Sequence, residues 1–144
     1  MFVLAAFCLV SGLAVPAASA EAAGAAAPTG VTAQLVLRST RVPAGTALRG
    51  TLVLTNPGDQ AVDLNDGCAP KWDVVLGRGR TPPGVAFSLE CSPEPFLVAP
   101  GSTERRFRVD TRGRRSGSYR VFLVASQPSF PDAKPVKVRI VRAR

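Results

Sequence analysis

Residues 51–64 read TLVLTNPGDQAVDL, and this stretch decides the fold. Leu52 and Leu54 share one parity, as expected of a strand that buries a single face. The turn Asn56-Pro57-Gly58-Asp59 follows, because Pro fixes φ and Gly accepts a positive φ. Val62 then resumes the alternation. The stretch therefore predicts a strand, a tight turn and a second strand.

The same alternation recurs on both sides of this stretch, with Pro- and Gly-rich turns between the segments. Turn signals after residue 30 come too often for helices of three turns to form. The further segments predicted as strands are 31–37, 72–76, 85–89, 107–109, 119–125 and 136–140. Phe122 and Val124 make 119–125 apolar on both faces, which predicts a central strand. The sequence thus predicts an all-β antiparallel sandwich of about seven or eight strands, with a small barrel as the alternative fold.

Composition limits the chemistry that the chain can perform. At 144 residues it predicts one domain, and 46% hydrophobic content argues against disorder. The absence of His excludes Ser-His-Asp hydrolases, Cys-His proteases and His-ligated metal sites. Residues 21–144 contain no G-x-S-x-G, S-x-x-K or phosphate-binding loop motif. We therefore predict no enzyme, no cofactor and no metal, and a carboxylate-only enzyme is the alternative.

The N-terminus has the pattern of an export signal. Residues 2–15 are apolar but too few to cross a bilayer, and Ala18-Ser19-Ala20 offers the small residues that signal peptidase requires. We predict a signal peptide over 1–20, a flexible linker over 21–30 and a folded domain over 31–144. The alternatives are an uncleaved interfacial anchor, lipidation at Cys8 and a start upstream of Met1. The expected location is secreted or extracytoplasmic, with a mature domain that does not span the membrane.

Two cysteines remain after cleavage at Ala20. Cys68 and Cys91 lie 23 residues apart, and in an oxidising compartment such a pair normally forms a disulfide. The chain-entropy estimate for closing this loop is about 3 kcal/mol of stabilisation. The spacing differs from the C-x-x-C of redox-active pairs, so we predict a structural bridge.

Short motifs carry a resemblance to a known family. The strand, turn and strand of 51–64 resemble those of bacterial extracytoplasmic immunoglobulin-like modules. Residues 97–102 (LVAPGS) and 117–121 (GSYRV) resemble two later elements of the same modules, in an order similar to the proteinase-inhibitor-like branch. The resemblance covers about 31–142 and implies an immunoglobulin-like sandwich, which specifies architecture rather than activity. Cys68 lies only four residues before Trp72, unlike the antibody-type pattern, and Tyr119 is a candidate corner tyrosine.

Positive charge is concentrated in the second half of the chain. Residues 105–144 hold 12 basic and 2 acidic side chains. The candidate contacts for an anion or a partner are Arg105, Arg106, Arg108, Arg112, Arg114 and Arg115. In an exported protein we expect the partner to be an anionic envelope polymer or a protein. We expect no nucleic acid, because exposed aromatic residues are not interleaved with the basic ones. The alternative is a solvated strand edge combined with an Arg-rich composition.

Proline-stiffened loops offer a second kind of contact, because they bind at a low entropic cost. The candidate loop contacts are Ser92, Glu94, Phe96 and Phe130. Residues 63–67 (DLNDG) lack the spacing of a calcium-binding loop, and Asn65-Asp66-Gly67 predicts an ordinary turn before the bridge. The predicted function is an exported, non-catalytic binding or interaction module that acts at the cell envelope or outside the cell, and the sequence does not identify its ligand. The alternative is a secreted proteinase inhibitor that uses the loop next to the bridge.

Overall fold

The structure is a computed structural model that describes residues 29–88 and 90–143. The predicted signal peptide and all but the last two residues of the predicted linker lie outside the described residues. Within the described ranges, no helix has the length and apolar character needed to cross a membrane.

Strands and irregular segments make up the described residues, so the all-β class is confirmed. Most of the strands coincide with the segments in which apolar residues alternate. The nine strands of the described residues are β1 Thr32–Leu37, β2 Arg41–Pro43, β3 Leu48–Asn56, β4 Val62–Asp63, β5 Trp72–Gly77, β6 Leu97–Val98, β7 Gly101–Val109, β8 Gly117–Ala125 and β9 Val136–Val141.

These strands form three sheets. Their strand orders are β1-β3-β7, β2-β9-β8-β5 and β4-β6. The position of β8 between β9 and β5 confirms the predicted central strand. Strand β2 pairs parallel with β9, so the expectation of purely antiparallel pairing is wrong at this edge. The physical reason is that a period of two determines which face a side chain occupies and is the same for either strand direction.

The inward faces of the two larger sheets share one apolar core. Leu52 and Leu54 of β3 are fully buried, and they belong to the same cluster as Val121 of β8 and Ile140 of β9. Burying each such side chain contributes about 1.5–3 kcal/mol. Because both sheets turn one face to this core, their remaining faces point outward on opposite sides of the domain.

The prediction of a strand over 85–89 is wrong for residues 85–88, which the structure describes, because residues 82–88 are irregular. Pro82 and Pro83 lack the N–H donors that a strand pairing needs. The segment instead crosses the outer face of β5 and β8. A Cβ on Gly77 would lie 3.1 Å from both the Phe122 ring and Pro83 Cδ, so these groups pack together there. Phe122 is consequently buried although it points away from the main core.

Asn56 joins the end of β3 to the turn and to β6. Its side chain is buried, and its Oδ1 accepts a hydrogen bond from Gly58 N–H at 3.0 Å. Its Nδ2 donates to the carbonyl oxygens of Gln60 at 2.7 Å and Val98 at 3.0 Å. A buried amide with three partners avoids the cost of an unsatisfied polar group. The turn after β3 is therefore confirmed, and it holds the unpredicted strand β6 against β4.

Gly50 provides a test of the packing of β3. A Cβ at this position would lie 2.5 Å from Phe107 Cζ and 2.5 Å from the Val36 carbonyl oxygen. We expect Gly50→Ala to lower the free energy of unfolding by about 1–3 kcal/mol, because this site has no room for another carbon. Gly84→Ala is the control, since a Cβ there meets nothing within 4 Å. Urea unfolding followed by circular dichroism measures both variants. Equal midpoints for the two variants would contradict the register of β3 against β7.

Candidate functional site

Three arginines lie side by side on the outer face of the β1-β3-β7 sheet. Arg49 of β3 is the direct cross-strand partner of Arg108 of β7. On the other side of β3, the backbone N–H of Arg38 donates to the carbonyl oxygen of Arg49 at 3.1 Å. Arg106 lies on the same face of β7, two residues before Arg108 and opposite Thr51. We call Arg38, Arg49, Arg106 and Arg108 the arginine face.

The strand alternation explains why these side chains point outward. Leu48 and Leu52 of β3 are buried in the core, so the residues between them take the opposite face. Neighbouring strands are about 4.8 Å apart, which places the row of three arginines within about 10 Å. An open depression of about 410 Å³ lies among the four side chains.

No carboxylate among the described residues forms an ion pair with the arginine face, although Glu104 lies on the same face of β7, two residues before Arg106. All four side chains are exposed, and no described carboxylate lies within 4.0 Å of their guanidinium nitrogens. Like charges directly opposite each other destabilise a sheet. Charged residues often protect an edge strand, and β7 is an edge, but Arg49 lies on the central strand β3. Edge protection therefore does not account for the arginine face.

The six arginines predicted as contacts do not form one surface. Arg106 and Arg108 belong to the arginine face, whereas Arg105 lies on the other face of β7 because it pairs with the inward Leu52. The remaining predicted arginines lie in the segment between β7 and β8: Arg112, Arg114 and Arg115. Arg112 also lies 3.8 Å from the Asp110 carboxylate.

Arg38 and Arg49 are the residues that the sequence interpretation missed. The outward parity of Arg49 between Leu48 and Gly50 was a usable signal. Their proximity to Arg108 depends on β3 lying between β1 and β7, and those strands are far apart in sequence. Alternation within one strand cannot supply that information.

The predicted disulfide is present and holds one end of an exposed loop. Cys68 and Cys91 are bonded, with their Cα atoms 5.0 Å apart. Next to the bridge, Ala69 N–H donates to the Ser92 carbonyl oxygen at 2.8 Å. At the loop's other end, Asp63 Oδ1 accepts from Phe96 N–H at 2.9 Å. Residues 92–96 are thus fixed at both ends.

The predicted loop contacts occupy different environments. Glu94 is exposed, and its carbonyl oxygen accepts from Asn65 Nδ2 at 2.7 Å. Phe96 is half-buried, with its ring 5.9 Å from the Phe130 ring in an edge-to-face arrangement. Phe130 is only 3% exposed, so the expected loop contact through Phe130 is corrected to a core position. The reason is that Phe130 closes the core against Phe96 and does not project from the loop.

Tyr119 has the geometry of a corner tyrosine. Its side chain is buried, and its hydroxyl donates to the Arg115 carbonyl oxygen at 2.8 Å. This bond fixes the chain where it enters β8. The role proposed for Tyr119 from the sequence is confirmed.

Acidic side chains serve local structure in the described residues. Asp63 Oδ1 accepts from the backbone of Asn65 at 3.0 Å as well as from Phe96, and Asp73 Oδ1 accepts from Val74 N–H at 2.7 Å. Across residues 29–88 and 90–143, no group of three or more Cys, Asp or Glu residues could hold a metal ion. Asp63 ends β4, and the backbone bends at residues 66–68 next to the bridge, where Gly67 has a φ of 79°.

Repulsion within the arginine face can be measured as stability. We expect Arg49→Gln to raise the free energy of unfolding by about 0.2–1 kcal/mol at low salt, because it removes the central charge of the row. The gain should disappear near 1 M salt, where charges are screened within about 3 Å. Arg112→Gln is the matched control, since Arg112 already lies beside Asp110. Urea unfolding at both salt concentrations decides the outcome. A loss of stability in Arg49→Gln at low salt would contradict net repulsion.

Comparison with known proteins identifies no family for this chain. No protein-family model and no curated protein matches it. Among solved structures, the chain is similar to the Pseudomonas fluorescens alkylpurine DNA glycosylase AlkC bound to DNA containing an abasic site analogue. The identity is 15% and the TM-score 0.48, and the match covers 78% of this chain and 30% of the glycosylase chain. A likeness of this strength carries no conclusion about what the chain binds or catalyses.

Proposed function

We propose that the chain is an exported, non-catalytic binding module that holds an anionic polymer of the cell envelope on its arginine face. The observation that carries the proposal is the row of Arg38, Arg49 and Arg108, which extends from the residue after β1 across β3 to β7 and forms no ion pair with a described carboxylate. A planar guanidinium donates two parallel hydrogen bonds to a carboxylate or phosphate group. A row of such groups suits a chain of repeated anions better than a single small ion.

The proposed fold family is the immunoglobulin-like β-sandwich. Two features support it: the two larger sheets share one core, and Tyr119 makes the bond of a corner tyrosine to the backbone four residues earlier. In such sandwiches the sheets supply a rigid base, which keeps outward side chains at fixed separations. This rigidity favours recognition by the sheet face over recognition by a mobile loop.

Export is part of the proposal because the signal-like N-terminus and the disulfide point to the same compartment. Cys68 and Cys91 are bonded, and such bonds persist in oxidising surroundings. We place the cleavage site after Ala20.

The second candidate function is proteinase inhibition by residues 92–96. It is favoured by the exposure of Pro93, Glu94 and Pro95 between two fixed ends of the loop. It is disfavoured because the Glu94 carbonyl group is already engaged by Asn65, and prolines obstruct substrate-like binding in a protease cleft. Inhibition within a panel of serine, cysteine and metalloproteases, lost in Glu94→Ala/Pro95→Ala, would replace the polymer proposal.

Binding to a carboxylate polymer tests the arginine face. We expect the full-length chain to bind fluorescein-labelled poly-L-glutamate, with an affinity that falls as salt rises. The variant Arg38→Gln/Arg49→Gln/Arg106→Gln/Arg108→Gln should bind at least about 10-fold more weakly, a loss equal to about 1.4 kcal/mol. Fluorescence anisotropy at low salt measures both proteins.

The control removes the same charge elsewhere on the chain. It is Arg105→Gln/Arg112→Gln/Arg114→Gln/Arg115→Gln, which leaves the arginine face intact. We expect this variant to bind within about twofold of the parent, because short-range pairing rather than net charge sets the affinity. Equal losses in the two variants would overturn the proposed site.

Export and the disulfide are tested together by intact-mass analysis of the protein recovered from outside cells. The chain should begin at Glu21, and its mass should be lower by about two hydrogens than that of the dithiol form. Recovery only from the cytoplasm, with residues 1–20 retained, would contradict export.

A further inference from the structure

A second basic surface occupies the outer face of the other large sheet. It is an open groove of about 450 Å³ over the paired residues 118–120 of β8 and 137–139 of β9. Its lining includes Thr40, Ser118, Arg120, Lys137 and Arg139, together with Arg78 and Tyr119. The volume lies within the range of small-molecule sites, which is about 300–1,000 Å³. No acidic residue belongs to its lining in the part of the chain that the structure describes.

Strand register brings these side chains together. Arg120 of β8 is the direct partner of Lys137 of β9, and Ser118 is the partner of Arg139. Residue 40 is held beside them because Arg139 N–H donates to the Thr40 carbonyl oxygen at 2.7 Å. The two cations of β9 therefore lie opposite Ser118 and Arg120 of β8, and Thr40 lies beside Arg139.

Two of the guanidinium groups are held in place before any ligand arrives. Arg78 Nη2 donates to the Tyr119 hydroxyl at 2.9 Å, and its Cζ lies 5.0 Å from the centre of the Tyr119 ring. The same hydroxyl donates to Arg115, so it is itself fixed. Arg120 Nη1 donates to the Gly79 carbonyl oxygen at 2.8 Å. Since a guanidinium has five N–H donors, Arg120 keeps others for a ligand, whereas Arg78 lies with the buried Tyr119 on the inward side of the sheet's end.

We propose that this groove binds a phosphate ester of a small polyol. Three outward cationic side chains, Arg120, Lys137 and Arg139, without a carboxylate in the lining favour a compact anion that carries more than one oxygen acceptor. The phosphate would take the guanidinium and ammonium donors, and the polyol would contact the hydroxyl groups of Thr40 and Ser118. Fixed donors lower the cost of binding, because less side-chain freedom is lost. This site does not depend on the arginine face, which lies on the other sheet.

Titration of the full-length chain with glycerol 3-phosphate tests the groove. We expect saturable binding by calorimetry, and none with glycerol. Lys137→Gln/Arg139→Gln should weaken the affinity at least about 10-fold, since it removes two exposed donors and neither internal bond. Arg38→Gln/Arg49→Gln removes the same charge from the other sheet and should leave the affinity within about twofold.

Each outcome of this comparison is decisive. Equal weakening by the two double variants, or the absence of saturable binding, would overturn the groove as a site. Amide chemical-shift changes confined to Ser118, Arg120, Lys137 and Arg139 would support it even where a variant folds poorly. Changes confined to Arg49 and Arg108 would overturn it.

A second experiment distinguishes a lipid headgroup from a soluble phosphate ester. Vesicles of phosphatidylcholine with 30% phosphatidylglycerol are sedimented with the parent and with Lys137→Gln/Arg139→Gln. Co-sedimentation that only this variant loses supports a lipid headgroup, and calorimetric binding without co-sedimentation supports a soluble ester. Poly-L-glutamate binding is measured on the same variant and should be retained, so a failure of the groove is distinguishable from a failure of the arginine face.

Discussion

The register of β3 between β1 and β7 is the constraint on which the rest of the structure depends. Leu52 and Leu54 share the inward face of the sheet with Leu35 and Ala33 of β1, which lie directly opposite them and are also buried. The same register aligns Arg49 with Arg108 on the outer face. A slip of one residue would exchange the two faces and bring charge into the core. The burial of the leucines therefore stabilises the register that also places the arginines next to one another. Their like charges repel, which opposes part of that stabilisation.

The sharing of one core by two sheets explains how a small domain carries two basic surfaces. Each sheet turns one face inward, so the arginine face and the β8-β9 groove point to opposite sides. Their construction differs. The arginine face is a row set by backbone register, whereas the groove contains Arg120, whose guanidinium group is held by the Gly79 carbonyl oxygen. A row of repeated charges suits an extended anion, and a donor that is already fixed suits a compact one.

Local patterns in the sequence predicted what depends on local physics. Alternation gave the inward leucines of β3, and the turn chemistry of residues 56–59 predicted the bend that Asn56 holds. The parallel β2–β9 pair and the proximity of Arg38, Arg49 and Arg108 depend on which strands become neighbours. That choice follows from the packing of the whole core. The alternation at Val85 and Phe87 was misleading because the prolines before it remove two backbone donors, and the segment packs by side chains instead.

The disulfide connects the irregular segment to the groove. Residues 78–88 contain no strand and cover Phe122 on the outer face, and the Cys68–Cys91 bridge closes the loop that includes them. This segment supplies both Arg78 and the Gly79 carbonyl oxygen that orients Arg120. A chain without strand pairing has a large conformational entropy to lose, and a bridge that spans 23 residues reduces that loss in advance. The order of the groove is therefore linked to a bond that forms in an oxidising compartment, where the proposed module would meet its ligands.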